Sequence, residues 1–287
     1  LSEFFWHTMI DRHTFAPGCS SDKEHYFPTD KFTAHISGYT GETCCTYNML
    51  KLSRHLFCWD ASPEVADYYE RALYNHILGQ QDLRRGWWPI SFLCRRVRTG
   101  CTARPRTRFG AVWAAGSRTT PSMPKPFIIM TGTHLRESVY PFRSEMAGKR
   151  TGLAAGYPFP RRGKVTFTVG LDEPKQLTVR LRYPSWSSEV CVKVNGKKVK
   201  VRQKPGSYIL LSRRWKDGDR IEADYAMGLR LERTPDGTER GALLYGPVVL
   251  AGELGTEGME APAPYSDPAK YNDYYSYELS YSRDHPN

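Results

Sequence analysis

Apolar residues recur every four positions in the first part of this chain and every second position in the last part, and no single kind of element accommodates both repeats. Val65, Tyr69, Leu73 and Ile77 follow Ser62-Pro63 and stop at Gly79. That pattern predicts a helix with Ser62 as N-cap, proline at the first helical position and glycine closing it. A second helix is predicted over residues 45–57, with Met49, Leu50, Leu52, Leu56 and Phe57 on its apolar side, and residues 1–10 read as the end of a third. Residues 11–43 form a long connection rich in Gly, Ser, Asp and His, and connections of that length without regular structure tend to carry function.

After residue 163 the period is two. Val165, Phe167, Val169 and Leu171 alternate with polar neighbours, as do Leu177, Val179, Leu181 and Tyr183. Val190, Val192 and Val194 run into Asn195-Gly196, the strongest short hairpin signal, and Val199 and Val201 return from it. A turn at residues 215–219 precedes Ile221, Ala223 and Tyr225, and residues 242–250 predict a strand broken at Gly246-Pro247, hence an edge or bulged one. This is the pattern of an antiparallel β-sandwich. The expected class is thus multidomain α + β: helices over 1–88, an anomalous stretch over 89–162, the sandwich over 163–254 and an irregular, Tyr-rich tail over 255–287.

Charge singles out the middle stretch. Of 41 basic and 30 acidic residues, 14 and 2 lie between Pro89 and Arg162, leaving 27 and 28 elsewhere, so the whole net charge of +11 comes from this one piece. Twelve of its basic residues are Arg, as in Cys94-Arg95-Arg96-Val97-Arg98, and no helical or strand period runs through them. A nucleic-acid partner has no other support, and the aromatics there are not interleaved as stacking requires. Seven unevenly spaced cysteines, two of them adjacent at Cys44-Cys45, argue against a disulfide framework and leave metal or thiol chemistry open. Mean hydropathy is −0.57 and no run approaches a membrane span, so a membrane partner is not expected. The start, Leu1-Ser2-Glu3, has neither initiator Met nor signal-peptide layout, which reads as a chain entered partway and leaves the compartment open.

Gly41-Glu42-Thr43-Cys44-Cys45-Thr46-Tyr47-Asn48-Met49-Leu50 and Glu70-Arg71-Ala72-Leu73-Tyr74-Asn75-His76-Ile77-Leu78-Gly79 closely resemble glycoside hydrolase family 127, the β-L-arabinofuranosidases. So do Arg182-Tyr183-Pro184-Ser185-Trp186 and Tyr245-Gly246-Pro247-Val248-Val249-Leu250. The resemblance implies an (α/α)6 toroid followed by β-sandwich domains, of which residues 1–88 supply only the last helices. It also implies zinc, held by one Glu and three Cys, with one of those thiolates attacking the sugar and a second Glu as acid/base. Zinc deprotonates thiols outright, which makes such a nucleophile available at neutral pH. By motif, Glu42 and Cys44 match two zinc ligands and Glu24 matches the acid/base. The competing reading of the residues themselves is that Glu42 caps a helix, Cys44 is a small buried hydrophobe and Glu24 is a solvated loop carboxylate. Cys45 and Cys19 depart from the family pattern, and the nucleophile is absent from the written sequence.

The place where the remaining ligands belong, a Trp-Cys-Cys segment, is occupied by the Arg-rich stretch. If one base is lost near Trp88-Pro89, the codons across residues 109–112 permit Trp-Cys-Cys, Trp113-Ala114 forces Gly and Met123-Pro124 forces Ala. The permitted reading continues WCCVGSGFENHAKYAEAIYYHDG, and a second loss near His134 gives FVNLYIPSGLKW before a third near Arg162-Gly163 restores the frame. Residues 89–162 are thus expected to be out of frame, and the chain as written to lack hydrolysis and to hold zinc weakly. The expected partner is a carbohydrate, an arabinose-containing glycan or oligosaccharide, with a homodimer of the full-length protein left open. The alternative function is a non-catalytic carbohydrate-binding or accessory sandwich.

Overall fold

The computed structural model describes residues 1–22, 25–36, 40–79 and 163–252, together with the backbone of six short strands between residues 88 and 156. The helical part contains α1 (Ser2–His13), α2 (Thr43–Trp59) and α3 (Pro63–Ala72). α2 buries Thr46, Met49, Leu50, Ser53, Leu56 and Phe57, the three-and-four spacing of one helix face. That face meets Trp6 and Met9 of α1 and Val65, Tyr68, Tyr69 and Ala72 of α3 in one core. One polar seam within it is satisfied internally: Trp6 Nε1 donates to Ser53 Oγ at 2.8 Å, and Ser53 Oγ donates to Met49 O at 2.7 Å.

Ser62 and Pro63 open α3 as expected, although the Ser62 side chain makes no capping hydrogen bond. Past Ala72 the helix widens into a π turn over Leu73–Leu78, which the four-residue apolar spacing does not reveal. Gly79 closes it in right-handed conformation, φ −64°. Glycine is needed there for space rather than for a left-handed turn, because a Cβ would lie 2.5 Å from the Asn75 carbonyl oxygen. The connection from α1 to α2 is not wholly irregular: Thr29–His35 forms a 3-10 turn.

The strands are β1 (Trp88–Pro89), β2 (Thr102–Ala103), β3 (Ile128–Gly132), β4 (Leu135–Ser138), β5 (Ser144–Met146), β6 (Lys149–Gly156), β7 (Lys164–Leu171) and β8 (Lys175–Tyr183). They continue as β9 (Val190–Val194), β10 (Lys197–Val199), β11 (Ser207–Trp215), β12 (Arg220–Tyr225), β13 (Leu229–Arg233), β14 (Gly241–Tyr245) and β15 (Val248–Val249). One antiparallel sheet runs β10-β9-β12-β7-β6-β5 and another β11-β8-β3-β4; β13-β14-β15 form a third and β1-β2 a fourth. The inward residues of β7, β9 and β12 share one core with those of β8 and β11, among them Phe167, Leu181, Val192, Ile209, Trp215 and Ile221. Period two therefore marks burial of one face per sheet.

Asn195 (φ 50°) and Gly196 (φ 78°) both take the left-handed conformation that a two-residue hairpin demands, with Val194 paired to Lys197. The break at Gly246-Pro247 is a reversal rather than a bulge, and β15 beyond it is an edge strand, as expected. β14 pairs antiparallel with β15, Tyr245 opposite Val248, so those two residues are the turn. The helices and sheets are joined through α3. Arg182 of β8, wholly buried, donates to Asp67 Oδ1 and to Glu70 Oε1, the latter at 2.6 Å. Ser185 N–H and Trp186 Nε1 complete the carboxylates at 2.9 and 2.8 Å.

Candidate active site

Glu42 stands at the N-cap of α2, with extended backbone and no side-chain capping bond. The preceding loop folds back alongside it. Gly41 N–H donates to Ser21 O at 2.9 Å, Glu42 N–H to Ser20 O at 3.2 Å and to Ser21 Oγ at 3.3 Å, and Asp22 bridges Thr40. Ser21 holds φ 75°, uncommon for a residue with a Cβ, and is buried. Backbone strain of this kind persists only where surroundings over-determine it, and it concentrates at functional sites. Gly18 makes the close approach of this loop to α3 feasible: it has φ +87°, and a Cβ there would lie 2.6 Å from Ala72 Cα.

Glu24 lies outside the described residues. Its flanks are paired, Asp22 N–H to His25 O at 2.9 Å and His25 N–H to Asp22 O at 3.0 Å. Asp22 Oδ2 is also 3.1 Å from His35 Nδ1, and Phe27 stacks on the His35 ring with centroids 4.4 Å apart. The 3-10 turn that carries His35 is held from the far side, where Asp236 accepts from Thr33 N–H at 2.5 Å and from Thr33 Oγ1 at 2.9 Å. Those bonds keep the Asp236 carboxyl well below its ordinary pKa even though desolvation works the other way.

Cys44 and Cys45 diverge because successive helical residues are turned by about 100°. Cys44 packs against the helical core. Cys45, three residues after Glu42 and so on the same helix face, directs its Sγ to Glu42 Oε2 at 3.2 Å. Burial, then the Glu42 carboxylate, pushes the Cys45 thiol up to about 12, and burial with Cys45 likewise raises the Tyr26 phenol to about 12. The structure thus brings Glu42 next to Cys45 and Tyr26, with Cys44 one step around the helix. None of the described cysteines (19, 44, 45, 58 and 191) forms a disulfide; Cys94 and Cys101 lie outside the described residues.

A structural zinc ion or a zinc-held nucleophile requires four ligand positions. Among the described residues no three His, Cys, Asp or Glu side chains converge, so the residues present do not complete such a site. Sequence reasoning missed Ser21, Tyr26, His35 and His76, since a hydroxyl, phenol or imidazole in a loop or helix carries no periodic signal. His76 is wholly buried, with Nδ1 2.7 Å from Thr46 Oγ1. Burial holds its pKa down to about 3. No helix among the described residues is long and apolar enough to cross a membrane.

A family model described as "Beta-L-arabinofuranosidase, GH127 catalytic domain" matches residues 1–88, and one described as "Beta-L-arabinofuranosidase, GH127 middle domain" matches residues 143–227. Among solved structures, a GH127 β-L-arabinofuranosidase from Geobacillus stearothermophilus T6, Ara127N-Se, is similar with TM-score 0.64 and 19% identity, covering 85% of this chain and 41% of its own. A GH127 β-arabinofuranosidase, BT3674, is similar with TM-score 0.66 and 18% identity over 85% of this chain and 42% of that one. No curated protein matches. Both domain models are described by the same enzyme family. The chain belongs to glycoside hydrolase family 127. It spans less than half the length of the structures it resembles.

Proposed function

We propose that this chain is the later part of a retaining glycoside hydrolase acting on β-L-arabinofuranosides. The observation that carries the reading is the consecutive match of catalytic and middle domain models, with Glu42 at a helix N-terminus against the loop that leads into Glu24. Glycosidases of the retaining kind need two groups flanking the sugar bond, one to protonate the leaving oxygen and one to attack. Glu24 is the proposed proton donor. By motif Glu42 and Cys44 are the proposed zinc ligands from this chain, although it is Cys45 that faces Glu42 while Cys44 packs against the helical core, and the substrate is an arabinose-containing glycan or oligosaccharide. The three helices are read as the end of an (α/α)6 toroid and the two core-sharing sheets as a β-sandwich.

The nucleophile and the remaining ligands belong to a segment that the written sequence lacks, so the chain as written is proposed to be inactive. Residues 89–142, which neither domain model matches, are the strongest part of the out-of-frame reading; the middle-domain match reaches back to residue 143 and covers the twenty residues after them. The test has two stages. The source DNA across codons 88–163 is resequenced, and the corrected full-length enzyme is assayed on a chromogenic β-L-arabinofuranoside with and without chelator. Chelator-sensitive release supports the reading. An intact frame encoding these arginines removes the lesion, and a corrected protein that binds sugar but never cleaves it favours an accessory role.

A further inference from the structure

The π turn at Leu73–Leu78 sends two adjacent side chains to opposite partners. Asn75 reaches the small sheet: its Nδ2 donates to Pro247 O at 2.8 Å and its Oδ1 accepts from Val249 N–H at 2.8 Å. His76 reaches the start of α2, where its Nδ1 lies 2.7 Å from Thr46 Oγ1. Thr46 also returns to Glu42 itself, its N–H 3.3 Å and its Oγ1 3.4 Å from Glu42 O. The imidazole therefore holds the residue one helical turn after Glu42, and that residue in turn bonds the Glu42 carbonyl. Widened turns of this kind occur often at functional sites.

We propose that His76 is a positioning residue for the Glu42 turn, and that the π turn anchors this turn to the β14–β15 hairpin through Asn75. The inference deepens the reading of Glu42 as a functional carboxylate and rests on it. An apolar side chain would fill the same volume, but it would leave buried Thr46 Oγ1 without its imidazole partner. The imidazole does so without adding charge near the Glu42 carboxylate, because burial keeps it neutral.

The experiment uses the 287-residue chain and three variants, Thr46→Val, His76→Leu and His76→Asn. Amide exchange is followed by mass spectrometry alongside alkylation of Cys45. Thr46→Val and His76→Leu are expected to speed exchange across residues 41–46 by about five- to tenfold, the equivalent of one lost buried hydrogen bond, with β7, β9 and β12 unchanged. Alkylation of Cys45 is expected to speed in parallel. His76→Asn, whose amide can reach from the Nδ1 position, is expected to recover most of the protection. Unchanged exchange in Thr46→Val, equal behaviour of the Leu and Asn variants, or a uniform rise across the sheets would overturn the proposal. Should His76→Leu fail to fold, Thr46→Val and His76→Asn still decide it. These readouts involve neither sugar nor zinc, so their outcome is separate from that of the glycosidase assay.

Discussion

Arg182 and Glu70, 112 residues apart in sequence, meet at 2.6 Å with both side chains almost wholly shielded from water. Asp67 takes the other arm of the guanidinium, and Trp186 donates to the second Glu70 oxygen. Burial alone would discourage the charge on Arg182, but the two carboxylates more than offset it and raise its pKa. The pair is the polar centre of the contact between α3 and β8.

Replacing Arg182 by Met should destabilise the protein by roughly 3–5 kcal/mol, because it strands a buried carboxylate rather than merely deleting an attraction. Urea unfolding at neutral pH measures this. A loss below about 1 kcal/mol would mean that the network is solvated in solution and contributes as little as an exposed pair.

His76 makes stability depend on pH. Its folded pKa, about 3, is below its ordinary 6.5, so between these values the unfolded chain binds a proton that the folded chain refuses. Stability is complete above about pH 6.5 and falls with decreasing pH toward 3, at roughly 1.4 kcal/mol per unit from this one group. The difference in unfolding free energy between the natural chain and His76→Asn should shift across that window. A difference independent of pH from 7 to 4 would show that His76 titrates normally.

Asn75 uses both ends of its amide on one reversal of chain. Asn75→Leu removes both of these bonds, together with the one from Nδ2 to Arg71 O within the helix, and should cost about 1–3 kcal/mol, with faster exchange of the Val249 amide. Asn75→Asp keeps the acceptor for Val249 but loses the donor to Pro247, so the Val249 amide should stay protected while stability still falls. If both variants expose Val249 alike, the hydrogen bond to its N–H is not the anchor.

Zinc retention follows from the incomplete ligand set. Dialysed against zinc-free buffer, the chain as written should keep well under one equivalent of metal by mass spectrometry, and Cys44→Ser should change that value little. Tight one-to-one retention that Cys44→Ser abolishes would show that further ligands close the site from residues outside those described.

Period four before residue 79 and period two after 163 are local properties, and from them the helices, strands β7, β8, β9 and β12 and the Asn195-Gly196 hairpin could be read directly, since each depends on neighbours a few positions away, whereas β11 and β13 were not read. Glu42 and Cys44 could be singled out because the Glu-x-Cys motif is short and contiguous. Only the folded chain decided that Cys45 faces Glu42 while Cys44 turns to the helical core, that Gly246-Pro247 reverses the chain, and that Arg182 closes on α3. Those outcomes depend on which surfaces meet across more than a hundred residues, and the free energy of burying a charge or turning a helix face inward is set by partners that no local repeat names.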